Sequence, residues 1–351
     1  MPASNHNALR VARLDLWVNP VFDQVITANA GLALCVLSRE AGRPDTWAAL
    51  SQAHAYHVSP AKDELPSCWW VNNALLARCP DLLCVSAGGA GYDTVDVDAC
   101  TRAGVAVVNQ AGANAASVAE MTFALLLALV KRLNASDAML RSGTAVSREA
   151  LMGNEIEGRV FGLVGIGAIG LRAARIAAGF GMRPIAYDPL LSNDEIRARG
   201  AEPVSFADLL RQADVVSLHC PLDTSTRGMM NAQAYAAMKP GALFLTTARG
   251  GIHDETALQQ ALESGHLGGA GLDVWQVEPP PSAHPLLQRD DVVATFHTAG
   301  VTHEGRRKVA QGSASQIVTM LSGERPAQLL NPAVWPRFQE RLAQTKRIEL
   351  V

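Results

Sequence analysis

No stretch of the chain is both long and apolar enough to cross a bilayer. The longest apolar run, Met121 to Val130, ends at Lys131-Arg132 and falls far short of the roughly 20 residues a spanning helix needs. It reads as a buried helix, and no membrane partner is expected. No leader is expected either: Met1 to Asn7 is polar and does not run through a charged head, apolar core and small-residue cleavage site in succession, so a cytoplasmic location is the default expectation. The six cysteines (Cys35, Cys68, Cys79, Cys84, Cys100, Cys220) form no Cys-x-x-Cys pair and no Cys/His zinc pattern, which points to reduced, mostly buried thiols and no metal. Excess positive charge is lacking as well: the net charge is -3, with no basic footprint for nucleic acid. Internal repeats and low-complexity tracts are absent, and Pro279-Pro280-Pro281 is the one compositional oddity, read as a stiff loop.

What the chain does have is length and alternation. At 351 residues it exceeds what one core usually supports, so two domains are expected. From about residue 158 to 297, short apolar or β-branched runs alternate with helical patterns, as in a doubly wound parallel sheet. Strands are expected at 160–164, 183–187, 215–218, 242–246, 271–274 and 292–296, each apolar enough to be buried on both faces. A weaker alternation over 10–109 ends in Leu82 to Ser86 and Val105 to Asn109, suggesting a second, smaller α/β domain. Between them, Ser117-Val118-Ala119-Glu120 has the form of a capping box opening a long helix. A tail helix is expected around 306–321, returning to the first domain.

Gly165-Ile166-Gly167-Ala168-Ile169-Gly170 follows one of these strands and opens a helical stretch, Leu171 to Phe180. In a dinucleotide fold the first glycine permits the tight turn, the second lets backbone approach the pyrophosphate, and the third lets helix and strand pack. The phosphates then sit on a helix N-terminus. Asp188 ends the next strand, at the distance from the glycines where an acid accepts hydrogen bonds from the adenosine ribose and repels a 2'-phosphate. NAD is therefore preferred to NADP, with Arg183 and Arg197 as the residues that could weaken the preference.

Ligands of open α/β sheets bind beyond the carboxyl ends of the strands. Arg249, Glu278, His297 and His219 all stand just after strands. Hydride transfer to a 2-oxo acid needs a cation to anchor the carboxylate and polarise the carbonyl, and an acid to protonate the nascent alkoxide. Arginine stays charged at every relevant pH, and histidine titrates near neutrality. A carboxylate on the far ring nitrogen would orient the imidazole and raise its pKa, the role given to Glu278. Position alone leaves His219 and His297 in competition.

Several motifs in order resemble those of the D-isomer-specific 2-hydroxyacid dehydrogenases. They are Gly89-Ala90-Gly91-Tyr92-Asp93, Asn114 to Glu120, Gly165 to Gly170, His219-Cys220-Pro221-Leu222, Thr247 to Gly251, Asp273 to Pro279 and His297-Thr298-Ala299-Gly300. The resemblance implies an NAD-dependent enzyme interconverting 2-oxo acids and D-2-hydroxy acids, with Arg249, Glu278 and His297 as the catalytic set and His297 as proton donor in reduction. It implies NAD contacts at Ala168, Ile169, Asp188, Cys220, Pro221, Thr226, Thr247, Ala248, Arg249, Asp273 and from His297 to Gly300, and substrate-carboxylate contacts at the amides of Gly89, Ala90 and Gly91. It further implies two Rossmann-like domains: a discontinuous, flavodoxin-like catalytic domain (1–109 with 299–351) into which an NAD-binding domain (110–298) is inserted. A homodimer joined through the cofactor domains follows, with the helix from Ser117 serving either as interface element or as intramolecular bridge.

The substrate half departs from the family pattern. Ala87 stands where the phosphoglycerate enzymes carry an arginine, which disfavours phosphoglycerate. Ser67-Cys68-Trp69-Trp70 replaces a Ser-x-Thr-Lys loop, so Trp69 and Trp70 either line a pocket for an apolar or aromatic 2-oxo acid or pack in the core. Phe296 replaces a proline before the candidate histidine, and His253 stands where an apolar residue is common. The alternatives are a glyoxylate or hydroxypyruvate reductase, a phosphonate or formate type oxidoreductase, and, in another class, a corepressor-like protein that senses NAD.

Overall fold

A computed structural model describes residues 8–348; the polar start, Met1 to Asn7, and the last three residues lie outside it. The chain divides into two compact units, one formed by residues up to Asn114 together with those from Thr302 onward, the other by Ala115–Val301.

The first unit carries β1 (Leu9–Leu14), α1 (Val21–Thr27), β2 (Leu32–Leu37), α2 (Pro44–Leu50), β3 (Ala55–Val58), α3 (Asn73–Arg78), β4 (Cys84–Ala87), α4 (Val97–Ala103) and β5 (Ala106–Val108). Its strands form one parallel sheet in the order β2-β1-β3-β4-β5, the flavodoxin-like arrangement. Strands β3, β4 and β5 are buried throughout, because helices cover both faces.

The second unit carries α5 (Ala115–Val130), α6 (Leu133–Ser142), β6 (Val160–Val164), α7 (Ala168–Gly179), β7 (Arg183–Tyr187), α8 (Asn193–Ala198), β8 (Glu202–Pro203), α9 (Phe206–Gln212), β9 (Val215–Leu218), α10 (Ala232–Ala237), β10 (Ala242–Thr246), α11 (Glu255–Glu263), β11 (Leu267–Leu272) and β12 (Val292–Ala294). The order β12-β11-β10-β9-β6-β7-β8, all parallel, is the classic dinucleotide-binding topology with one strand added at an edge. Strand order reverses between β6 and β9, the place where this topology opens a ligand crevice. Two apolar layers flank the sheet. One gathers Phe244, Leu258, Leu272 and Trp275, the other Phe123, Leu126, Phe161 and Ala173. Each fully buried leucine or phenylalanine contributes about 1.5–3 kcal/mol.

The tail returns to the first unit as α12 (His303–Ser322) and α13 (Trp335–Ile348). Thr302 caps α12 by accepting the Gly305 amide, and Ala310, Ala314, Ile317 and Met320 pack with Leu9, Val11, Phe22 and Val108. Asn331 completes the edge of the sheet: its Oδ1 accepts the Val107 amide and its Nδ2 donates to the Val105 carbonyl.

Four strands, β6, β7, β9 and β10, lie where the alternation places them, and three expectations are corrected. The strand expected at 271–274 is β11, Leu267–Leu272; Asp273 and Val274 lie past its end. The strand expected at 292–296 stops at Ala294, with Phe296 fully in solvent at 79% exposure. The long helix begins at Ala115, so Ser117 is buried within its first turn rather than standing ahead of it as the N-cap. Among the described residues no helix is long and apolar enough to cross a membrane, and no group of His, Cys, Asp or Glu could hold a metal ion.

Candidate active site

The carboxyl edge of the seven-stranded sheet gathers the residues singled out in that unit. At the end of β6, Gly165 has φ 88°, and a Cβ there would lie 3.0 Å from the His219 carbonyl and the Cys220 amide nitrogen. A Cβ on Gly170 would lie 2.4 Å from the Gly165 carbonyl oxygen. Around Gly167, by contrast, no atom comes within 4 Å of the Cβ position. Two glycines are thus demanded by packing and one leaves open space at the N-cap of α7, where first-turn amides are unpaired. A pyrophosphate fits that space and that dipole.

Asp188 ends β7 and accepts the Ile166 amide through Oδ2 (3.0 Å) and the Leu190 amide through Oδ1 (3.1 Å), so the acid is fixed beside the glycine turn. The two arginines that could have weakened the NAD preference are engaged elsewhere: Arg183 pairs with Glu202 at 3.0 Å and Arg197 with Asp194 at 2.9 Å. Sequence reasoning missed Arg199, whose guanidinium donates to the Ile166 carbonyl at 2.7 Å and buttresses the turn. Across the crevice, Cys220 and Pro221 follow β9, and the Thr226 hydroxyl donates to the Pro221 carbonyl at 2.7 Å, shaping that loop. Thr247 and Ala248 continue β10 and are nearly buried, and Gly300 lies on the loop after β12.

Arg249 follows Ala248 and donates to its carbonyl at 2.7 Å. Glu278 lies on the loop after β11, where Oε1 accepts the Trp275 amide (3.0 Å) and Oε2 meets His297 Nδ1 at 2.8 Å. His297 has φ 52°, a left-handed conformation that costs free energy in a residue other than glycine and needs its surroundings to hold it. Asp273 supplies the hold. Its carbonyl accepts the His297 amide (2.7 Å), and its fully buried carboxylate accepts the amides of Thr298 and Ala299 and the Thr295 hydroxyl, at 2.6–2.9 Å. Asp273, expected as a cofactor contact, therefore spends its carboxylate on the loop that carries the histidine.

Burial pulls the His297 imidazolium down, but the hydrogen bond and charge of Glu278 outweigh it and the pKa is raised. Burial likewise pushes Glu278 up, and His297, the Trp275 amide and Arg249 together bring it below the ordinary value. The two shifts agree: each partner favours the charged form of the other. With Nδ1 bound to Glu278, Nε2 is the nitrogen left to face a reactant. His219 differs. Its Nε2 is 2.9 Å from the Ser217 hydroxyl, its Nδ1 is buried without a partner, and burial lowers its pKa to about 4. Of the two histidines that position left open, His297 is the one with a carboxylate partner.

In the first unit, Gly89, Ala90 and Gly91 follow β4. Gln110 donates its amide to the Gly89 carbonyl (2.8 Å) and Asn109 its Nδ2 to the Ala90 carbonyl (2.7 Å), which ties the carbonyls back. Among the described residues the amides of Gly89, Ala90 and Gly91 meet no protein acceptor, which leaves them available to an anion. Of the two alternatives for the indoles, Trp69 takes the core: it is fully buried, packs tilted against Trp47 with ring centroids 4.6 Å apart, and donates Nε1 to the Arg39 carbonyl. Trp70 packs on the same core and donates to the Leu65 carbonyl at 3.0 Å. Core packing and these backbone hydrogen bonds hold Trp69 in the interior and Trp70 half-buried against it. The small cleft beside Gly88, about 40 Å³, is lined instead by Trp17, His57, Glu64 and Arg306, none of which sequence reasoning singled out for this site.

Residues 123–299 match the family model described as D-isomer specific 2-hydroxyacid dehydrogenase, NAD binding domain. A D-3-phosphoglycerate dehydrogenase of Mycobacterium leprae is 42% identical over 255 residues, which cover 72% of this chain and 48% of that protein; the chain thus spans about half the length of this relative. An (S)-sulfolactate dehydrogenase of Chromohalobacter salexigens is 42% identical over 241 residues, covering 68% of this chain and 78% of the relative. Among solved structures, a glyoxylate reductase from Paecilomyes thermophila superposes with a TM-score of 0.81 at 26% identity, covering 94% of this chain and 99% of the other.

Proposed function

The chain belongs to the D-isomer-specific 2-hydroxyacid dehydrogenase family, and from that premise we propose that it interconverts a 2-oxo acid and its D-2-hydroxy acid with NAD. The observation that carries the proposal is the His297–Glu278 pair at 2.8 Å, on the same sheet edge as Arg249 and the glycine turn. When bound, the nicotinamide supplies or accepts the hydride. In reduction, His297 donates its Nε2 proton to the carbonyl oxygen as that oxygen gains charge. In oxidation the neutral imidazole takes the proton back. Arg249 polarises the carbonyl and anchors the carboxylate, while Glu278 fixes the imidazole and stabilises its charge. Gly89, Ala90 and Gly91 are the proposed amide donors of the other unit. NAD contacts are proposed at Gly165, Gly167, Ala168, Ile169, Gly170, Asp188, Cys220, Pro221, Thr226, Thr247, Ala248 and Gly300.

With Trp69 in the core and Trp70 half-buried against it, an aromatic substrate loses its support. A short 2-oxo acid is the proposed substrate, and a glyoxylate reductase is among the similar proteins. A homodimer formed through the second unit is part of the proposal. Helix α5 spends its apolar residues within its own unit, whereas α6 buries none and leaves Leu133 and Leu140 in solvent. A cytoplasmic location completes the reading. The test is NADH oxidation at neutral pH against glyoxylate, hydroxypyruvate, pyruvate and branched-chain and aromatic 2-oxo acids, repeated with NADPH. Turnover of short acids with NADH is expected; silence across the panel with intact NADH binding would contradict the proposal.

A further inference from the structure

The loop that carries Glu278 is gripped from behind by two residues with no place in the chemistry above. Glu255, the first residue of α11, is nine-tenths buried. Its Oε1 accepts the Gln276 amide at 2.6 Å, and its Oε2 meets His284 Nε2 at 3.2 Å. His284 Nδ1 accepts the Leu286 amide at 3.3 Å, so Nε2 carries the proton and donates it to Glu255. The His284 ring stands edge-on to the Trp275 indole, with centroids 5.4 Å apart. Trp275 in turn touches all three catalytic segments. Its amide donates to Glu278, its indole N–H donates to the Thr295 carbonyl at 3.1 Å two residues before His297, and its carbonyl presses on Gly250, where a Cβ would come within 2.0 Å.

We propose that Glu255 and His284 are positioning residues for the reaction: they clamp the Trp275–Gln276 peptide so that the Trp275 amide holds the Glu278 carboxylate against His297. The proposal rests on the oxidoreductase reading of this site. A buried carboxylate that accepts a backbone amide is costly to lose, because the orphaned N–H must find water or move. Without Glu255 the Trp275–Gln276 peptide loses the acceptor of its N–H, and the preceding peptide, whose Trp275 N–H orients Glu278, loses that support through the shared Trp275 Cα. The other charged groups acting on His297 are Arg249 and Asp273. Asp273 shares the loop that Glu255 grips, but its carboxylate is held from the other side by the Thr295 hydroxyl and the Thr298 and Ala299 amides, and Arg249 is tied to the Ala248 carbonyl, so Glu278 is the partner of His297 most exposed to the loss of Glu255.

The experiment uses the full chain as parent, Glu255→Ala, Glu255→Gln and His284→Ala. It follows the His297 imidazole by NMR titration and measures kcat and KM for glyoxylate reduction. In Glu255→Ala the His297 midpoint falls toward the ordinary imidazole value. There kcat drops about tenfold, with KM and NADH affinity nearly unchanged. Glu255→Gln, whose amide oxygen still accepts the Gln276 N–H, recovers most of both. A folded Glu255→Ala protein with the parental His297 midpoint would overturn the proposal. If that variant does not fold, His284→Ala decides it by the same midpoint, a fall supporting the clamp and no change overturning it. Absence of turnover in the parent would defeat the oxidoreductase reading alone, since the titration needs no substrate.

Discussion

Two histidines follow strands of the same sheet, His219 after β9 and His297 after β12, and they have been given opposite characters. His219 is sealed beside Ser217 with no carboxylate facing it, and burial alone acts on it, so its pKa falls to about 4. His297 is also partly buried, yet Glu278 at 2.8 Å more than reverses the effect, and its pKa rises. A strand-end imidazole becomes an acid usable at neutral pH only when a partner offsets desolvation. The partner must itself stay ionised, and the Trp275 amide and Arg249 see to that for Glu278.

The comparison breaks most decisively at His297. Replacing it with Ala should lower turnover by about a thousandfold or more while leaving NADH binding, measured by fluorescence, near the parental value. Loss of NADH binding instead would make His297 a structural residue. Glu278→Gln should cost about 10- to 100-fold in kcat and also move the pH profile. With the His297 pKa raised, the proton donor stays loaded above the ordinary imidazole value of about 6.5, and reduction declines only as pH climbs through the raised value. Removing the carboxylate shifts that decline to lower pH; an unshifted profile would separate Glu278 from His297. Asp188→Ala should weaken NADH binding about tenfold with kcat at saturation near parental, as loss of ribose hydrogen bonds implies. His219→Asn should have the smallest effect, a change of less than about threefold in kcat. A larger one would put His219 back in contention.

Much of this was legible before the structure. Glycines at a strand-to-helix turn, an acid after the next strand, and Arg249, Glu278 and His297 beyond three strands locate the site in the second unit. What was not legible follows from contacts that sequence does not display. Strand β11 was displaced in the reading because Gly268, Gly269 and Gly271 carry no β-branched signal. They are glycines because a Cβ would meet the Gly241 carbonyl at 2.6 Å, the Asp291 carbonyl at 2.9 Å and Leu245 at 2.8 Å. Ser117 and Glu120 match the capping-box spacing but lie inside a helix, whereas the reciprocal bonds of a true box form at Ser192 and Glu195. Trp69 and Trp70 sit near the substrate loop in sequence, yet their ring directions were set by the core of the first unit. Strand β8, two residues long, is too short to leave any periodic pattern.

The most direct test of the central claim is one NMR titration of the imidazole-labelled protein, resolving His297 and His219 together. The account predicts that His297 titrates above the ordinary imidazole value while His219 stays neutral down to about pH 4. A His297 midpoint at or below the ordinary value, with His219 titrating near neutrality, would contradict it.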